Sequence, residues 1–168
     1  YTIGRTFAHT VINRLKSNII ATGYDGRLTS PDLHQALCEG LKDSGAKVIN
    51  IGMGPTPMTY FAHYHLEADA VIMVTGSHNP SEYNGFKMVL AKHSFYAEDI
   101  QSLQKLIDQS NLKLAQGEII NRDIKLDYTK RLLQNINLNK KIKIAWDIGN
   151  GAMGAVIKEV TNLSLIHI

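Results

Sequence analysis

Residues Ala70-Val71-Ile72-Met73-Val74 are apolar at every position, and this run limits the possible folds more than any other. Successive side chains of a strand point to opposite faces, so a strand with no polar position needs cover on both sides. A sheet held between two layers of helices supplies that cover. The preceding segments fit the same scheme. Ile3, Phe7, Val11 and Leu15 recur every four residues, as on one face of a helix, and Asn18 to Thr22 then reads as a short buried strand. After the turn-forming run Gly23-Tyr24-Asp25-Gly26-Arg27, the segment Thr29-Ser30-Pro31-Asp32 has the hydroxyl, proline and acid of a helix start. Leu33, Leu37 and Leu41 are the expected inner stripe of that helix, and Gly45 its stop. Lys47 to Ile51 is a second strand, Gly52 to Pro57 a Gly/Pro loop, and Met58, Phe61, Ala62 and Leu66 suit a helix. The fold class expected is α/β, a three-layer α/β/α sandwich with a mostly parallel mixed sheet.

Downstream, Phe86 to Leu90 is a further strand, reached through the turn Tyr83-Asn84-Gly85, which permits an antiparallel direction. Helical stretches follow around Ile100, Leu103, Leu106 and Ile107 and around Ile124, Tyr128, Leu132 and Ile136. The polar run Asn135 to Lys141 is the best boundary. Residues 1–139 are therefore expected to form one domain lacking its N-terminal edge, with 140–168 the truncated beginning of a second. In that second piece, Ile142 to Asp147 reads as a strand leading into a glycine loop and a helix that stops almost where it starts. A lone strand and glycine loop cannot bury their own apolar residues, so the terminal segment is expected to fray or to pack against the first domain.

The 168 residues carry 18 Lys+Arg and 15 Asp+Glu, with the surplus lysines scattered, which gives no basic patch for nucleic acid. No apolar run approaches the ~20 residues of a membrane span. The single cysteine, Cys38, excludes an internal disulfide framework and a multi-cysteine zinc site, favouring a reducing, cytoplasmic setting.

The chemistry concentrates in the loop Thr75-Gly76-Ser77-His78-Asn79-Pro80, at the mouth of the apolar strand. Loops beyond the carboxyl ends of parallel strands are where such sheets bind ligands. Ser77 offers a nucleophilic hydroxyl, His78 a proton carrier near neutral pH, and Asn79 an amide for the loop or a ligand. Lys87 can return a positive charge to the site, stabilising a transferring phosphoryl group. On local physics alone, a polar turn whose hydroxyls and amide satisfy loose backbone groups is an equal reading.

The run Thr-Gly-Ser-His-Asn-Pro followed by Tyr83-Asn84-Gly85-Phe86-Lys87 resembles the active-serine loop of the α-D-phosphohexomutases, in particular bacterial phosphomannomutase/phosphoglucomutase. Asp25 to Leu33, Gly52 to Pro57 and Asp147 to Ala152 are similar to further landmarks of that family, in its order. The resemblance implies interconversion of hexose 1-phosphate and hexose 6-phosphate through a phosphoserine and a hexose 1,6-bisphosphate intermediate. It makes Ser77 the phosphoserine, whose phosphate supplies one ligand to Mg²⁺, and places His78 and Lys87 around the reacting group. Asn79 and Arg27 become substrate- or phosphate-binding candidates, with loop support the other role for Arg27. Tyr24 stands where bacterial relatives often have Arg. The family's aspartate-rich metal loop, sugar-selecting loop and later phosphate-binding loop belong to domains II–IV, expected as missing partners. The chain alone is therefore expected to be inactive.

Three rivals remain. Gly149 to Gly154 matches G-x-G-x-x-G, but only 14 residues follow Gly154, too few for the acidic ribose ligand, so a packing turn fixed by Asp147 is preferred. A serine hydrolase would use Ser77 and His78 with Asp25 or Asp147 as orienter, but neighbouring residues rarely aim both side chains at one hydrogen bond, and G-x-S-x-G is absent. The non-enzyme alternative is a non-catalytic fragment or phosphate-binding domain. His63 and His65 are expected on different helix faces, and Cys38 as a packed, inert thiol.

Overall fold

The computed structural model describes residues 1–108, 112–136, 143–149 and 151–164. Its strands are β1 (Ile19–Tyr24), β2 (Lys47–Met53), β3 (Ala70–Val74), β4 (Phe86–Leu90), β5 (His93–Phe95) and β6 (Glu118–Asn121). Its helices are α1 (Thr2–Leu15), α2 (Ser30–Lys42), α3 (Thr56–His65), α4 (Glu98–Asp108), α5 (Lys125–Leu133) and α6 (Gly154–Leu163). The strands form one mixed sheet in the order β5-β4-β3-β1-β2-β6. β1 pairs in parallel with β2 and β3, and β2 in parallel with β6, while β4 runs antiparallel to β3 and β5.

Alternation along the central strands separates two cores. Ile20 of β1 and Ile72 and Val74 of β3 face Phe7 and Val11 of α1, Leu37 and Leu41 of α2 and Leu103 of α4. Ala21 and Val71 face the other way, onto Met58 and Ala62 of α3, Ile124 and Tyr128 beside and within α5, and Val156 and Val160 of α6. Every residue of β3 is buried, as its all-apolar composition requires. α1 and α2 approach unusually closely: a Cβ on Gly40 would overlap the carbonyl of Tyr1, and one on Gly4 the carbonyl of Leu37.

Four expectations need correction. Leu33 is 37% exposed, whereas Ser30 and His34 are buried with Leu37, Cys38 and Leu41. The inward stripe of α2 thus includes two polar residues, accepted because each is hydrogen bonded. β5 and β6 complete the sheet edges, and neither is apolar enough to stand out. Residues 143–148 form no strand, and Trp146 and Ile148 are 41% and 38% exposed. A strand needs a neighbouring edge to satisfy its backbone, and among the described residues this segment pairs with no strand of the sheet. α6 instead runs for 10 residues and buries Val156 and Val160, the packed outcome for the terminal segment. The proposed linker 135–141 lies largely outside the described residues, as does Ile142.

Candidate active site

β1 sits between β2 and β3, so the connection leaving β1 runs to one side and the next crosses back over it. This is a topological switch point, where open α/β sheets form a crevice beyond their carboxyl ends. The loops after β1 and β3 meet there, tied by a bond of 3.0 Å from Asp25 N–H to the carbonyl of Val74.

Ser77 occupies the loop after β3 with φ 54°, a left-handed conformation uncommon for a residue with a Cβ. Its N–H donates to Thr75 Oγ1 at 2.9 Å. Ser77 Oγ lies 3.2 Å from His78 Nδ1 and 3.3 Å from Lys87 Nζ. An ammonium can only donate, so Lys87 donates to Ser77 Oγ, leaving the serine proton free to point at Nδ1. Lys87 reaches the loop because its position on β4 is in register with Met73 of β3. The side chains of adjacent residues do meet here, contrary to the sequence expectation, because the left-handed turn at Ser77 replaces an extended link. The third member of a hydrolase triad does not accompany them. Among the described residues His78 makes no hydrogen bond to a carboxylate, and Asp25 is engaged elsewhere.

Arg27 lies against the same loop. Its Nη1 donates to the carbonyls of Pro80 at 2.6 Å and Tyr83 at 3.0 Å, and its Nη2 to those of Asn79 at 2.6 Å and Ser77 at 3.1 Å. Its Nε pairs with Asp25 Oδ2 at 3.3 Å. These contacts occupy all five donors of a guanidinium, so of the two roles expected for Arg27 the geometry gives it loop support. Gly76 has no side chain for the same reason: a Cβ there would overlap the Arg27 guanidinium and the carbonyl of Tyr83. Asn79 contributes its carbonyl to Arg27 and its N–H to Gly76 O at 3.0 Å, and its side chain is exposed.

Asp25 was legible only as a possible orienter, yet it lies at the root of this arrangement. Burial pushes its carboxyl up, but bonds from Ser30, the Arg27 N–H, Thr75 and Gly76 outweigh that and hold it below the ordinary aspartate value. The signal in the sequence was Asp25 two residues before Arg27, an Asx-turn spacing, and the Arg27 N–H does donate to Asp25 Oδ1 at 3.1 Å. Beneath the site, His34 Nε2 lies 3.0 Å from Thr22 Oγ1 and 3.5 Å from Cys38 Sγ, and its ring packs on Tyr24 with centroids 4.8 Å apart and planes tilted by 42°. Burial lowers His34 to about 4 and raises the Cys38 thiol, so both are neutral at physiological pH.

The remaining candidates separate. His63 is 3% exposed, and its near neighbour His65 stacks on Phe61 at 4.7 Å. Asp147 Oδ1 accepts from the Gly149 N–H at 2.9 Å, fixing the turn as expected, with no strand before it to complete a dinucleotide fingerprint. Among the described residues, no group of three or more His, Cys, Asp or Glu side chains could hold a metal ion, and no helix is long and apolar enough to cross a membrane.

Residues 1–113 match the family model described as phosphoglucomutase/phosphomannomutase, alpha/beta/alpha domain I. A phosphomannomutase/phosphoglucomutase of Pseudomonas syringae pv. tomato is 39% identical over 160 residues, which cover 95% of this chain and 34% of that protein. A phosphoglucomutase of Neisseria meningitidis serogroup A is 40% identical over 157 residues, 92% of this chain and 34% of its own. The crystal structure of a phosphoglucomutase/phosphomannomutase family protein from Burkholderia thailandensis superposes with a TM-score of 0.87 at 36% identity, covering 96% of this chain and 37% of that one. The chain spans about a third of the length of the relatives it matches.

Proposed function

The chain belongs to the phosphoglucomutase/phosphomannomutase family, and on that premise we propose that it carries the phosphoserine site of a phosphohexomutase interconverting hexose 1-phosphate and hexose 6-phosphate. The observation that carries this reading is Ser77 Oγ held between His78 Nδ1 and Lys87 Nζ at the switch point of the sheet. In the first half-reaction, the free hydroxyl of the sugar phosphate attacks the phosphorus on Ser77. The new sugar O–P bond forms as the Ser77 Oγ–P bond breaks, the hydroxyl proton leaves to a base, and the departing Ser77 Oγ takes a proton from His78. The hexose 1,6-bisphosphate turns over, and Ser77 Oγ then attacks its other phosphorus, breaking that sugar O–P bond while His78 accepts the serine proton. Lys87 stabilises the charge spread over the transferring oxygens in both directions.

We assign residues 1–139 to domain I and 140–168 to the beginning of a second. The polar run Asn135 to Lys141 supports this division, and the family match over residues 1–113 lies within the first part. Mg²⁺ is the metal of the reading, but the described residues do not complete a site for it. A phosphate on Ser77 would offer it one oxygen donor, and a bound Mg²⁺ would neutralise charge on the phosphate oxygens. A cytoplasmic setting is supported by the single buried thiol, Cys38.

Radiolabelled glucose 1,6-bisphosphate tests the assignment. Label is expected on Ser77 and absent from Ser77→Ala. Labelling of Ser77 by a fluorophosphonate, with none from the bisphosphate, would overturn it in favour of a hydrolase. The chain alone is expected to show negligible conversion of glucose 1-phosphate or mannose 1-phosphate, because one serine and one lysine, with no metal-binding carboxylate cluster among the described residues, are a partial site. Robust turnover would defeat that expectation.

A further inference from the structure

Residues 77–83 are all exposed, so packing does not hold the Ser77 loop in its left-handed turn. Hydrogen bonds from its two ends do. At its entry, the Asp25 N–H bonds the carbonyl of Val74 at 3.0 Å, and the Asp25 carboxylate accepts from Ser30 Oγ at 2.6 Å. The same carboxylate pairs with Arg27, whose guanidinium carries the loop carbonyls. At its exit, Asn84 Nδ2 donates to Ser30 Oγ at 2.9 Å and Thr29 Oγ1 at 3.0 Å. The carbonyl of Gly85 then accepts from the Thr75 N–H at 2.9 Å, closing the loop. Ser30, fully buried, is the junction: one hydroxyl donates to Asp25 and accepts from Asn84.

We infer that Asp25 and Asn84, joined through Ser30 Oγ, are positioning residues for Ser77, fixing both ends of its loop to the N-terminus of α2. Neither touches the reacting atoms. Their effect is on distance: a nucleophile displaced by about an ångström loses the alignment that makes transfer fast. The inference rests on Ser77 as the phosphate acceptor, but the position of the loop is measurable without that reading.

The test uses Asn84→Ala, Asn84→Asp and Asp25→Asn in the full 168-residue chain. Asn84→Asp keeps an oxygen for the Gly85 N–H and loses the donors to Ser30 and Thr29, so it is expected to behave as the alanine variant does. The first readout is the ¹⁵N signature of the His78 ring, which reports the contact from Ser77 to Nδ1 and which a loss of global stability alone would not move. The second is amide exchange at Thr75, Asn79 and Tyr83, expected to quicken about tenfold while α2 and β3 stay protected. The third is phosphate uptake from glucose 1,6-bisphosphate, expected to slow about tenfold. Unchanged His78 signals and exchange rates in the Asn84 variants would overturn the inference, even if Asp25→Asn fails to fold. If the loop signals move but the parent chain never takes phosphate, the positioning stands and the phosphoserine assignment falls.

Discussion

Lys87 Nζ stands 3.3 Å from Ser77 Oγ although the two residues lie on different elements, one on β4 and the other in the loop after β3. The antiparallel pairing of those strands brings them together, with Lys87 opposite Met73. The cation is therefore carried by the sheet, while the Ser77 hydroxyl is carried by an exposed loop. Replacing Lys87 with Met keeps the strand and removes the charge. Phosphate transfer to or from Ser77 should fall by about 10²–10³-fold, the usual effect of losing one fixed charge-stabilising donor. Rapid-quench labelling of Ser77, with a melting curve to show the fold intact, checks it.

Gly76→Ala tests how closely Arg27 embraces the loop. The added methyl would occupy the space of the Arg27 guanidinium and the Tyr83 carbonyl, so one of them must move. We expect a loss of about 1–3 kcal/mol in denaturant unfolding, typical of forced overpacking. Faster proteolysis between residues 77 and 83 should accompany it, because moving either group breaks the bond from Arg27 to the Tyr83 carbonyl that helps hold the loop.

Arg27→Lys retains the charge but not the fork. Four carbonyls and the Asp25 carboxylate converge on the guanidinium, whose side chain is only 14% exposed. An ammonium has three donors and no planar arrangement, so at least two acceptors lose their partner. The expected cost is about 1–3 kcal/mol, measured by urea unfolding. A stability equal to the parent's would show that water replaces the lost bonds without penalty.

How much of this was legible in the sequence depends on distance along the chain. The all-apolar β3 and the alternation of strand and helix patterns disclose the three layers, because burial is written into each segment separately. The loop from Thr75 to Pro80 and Lys87 offer a hydroxyl, an imidazole and a cation by residue type, which a polar turn would offer equally. Arg27's role was half visible, since its carbonyl partners lie 50 to 56 positions away and backbone acceptors leave no mark in a sequence. β5 and β6 escaped because short edge strands carry little apolar signal. The inward turn of Ser30 and His34 in α2 was hidden for a related reason: a hydrophobic stripe cannot reveal polar residues buried by pairing with β1 and its loop.

Gly40→Ala should damage stability without touching the site. Its Cβ would meet the carbonyl of Tyr1, so α1 must lift from α2, exposing part of the shared apolar face around Leu37 and Leu41. The helix preference of alanine over glycine, about 1 kcal/mol, works the other way. The clash is with backbone, which cannot rotate aside as a side chain can, so net destabilisation is expected. A melting temperature above the parent's would mean that the helices separate freely.

His34 gives the chain an acid-sensitive core. Folding buries the ring as a neutral acceptor or donor beside Thr22 and lowers its pKa to about 4, against a reference value of about 6.5 when unfolded. Between those values the unfolded chain binds a proton that the folded chain refuses, so stability rises with pH across that window. The contribution is fully present above pH ~6.5 and declines as pH falls towards ~4. From pH 7 to pH 5 the loss should be about 2 kcal/mol. His34→Gln, which keeps a polar side chain near Thr22, should remove most of this slope. A smaller one would remain from His63, whose pKa is also lowered, by burial and then by Lys92. Urea unfolding at a series of pH values, parent against variant, reads the difference directly. Parallel curves through pH 5 would show that His34 accepts its proton within the folded chain.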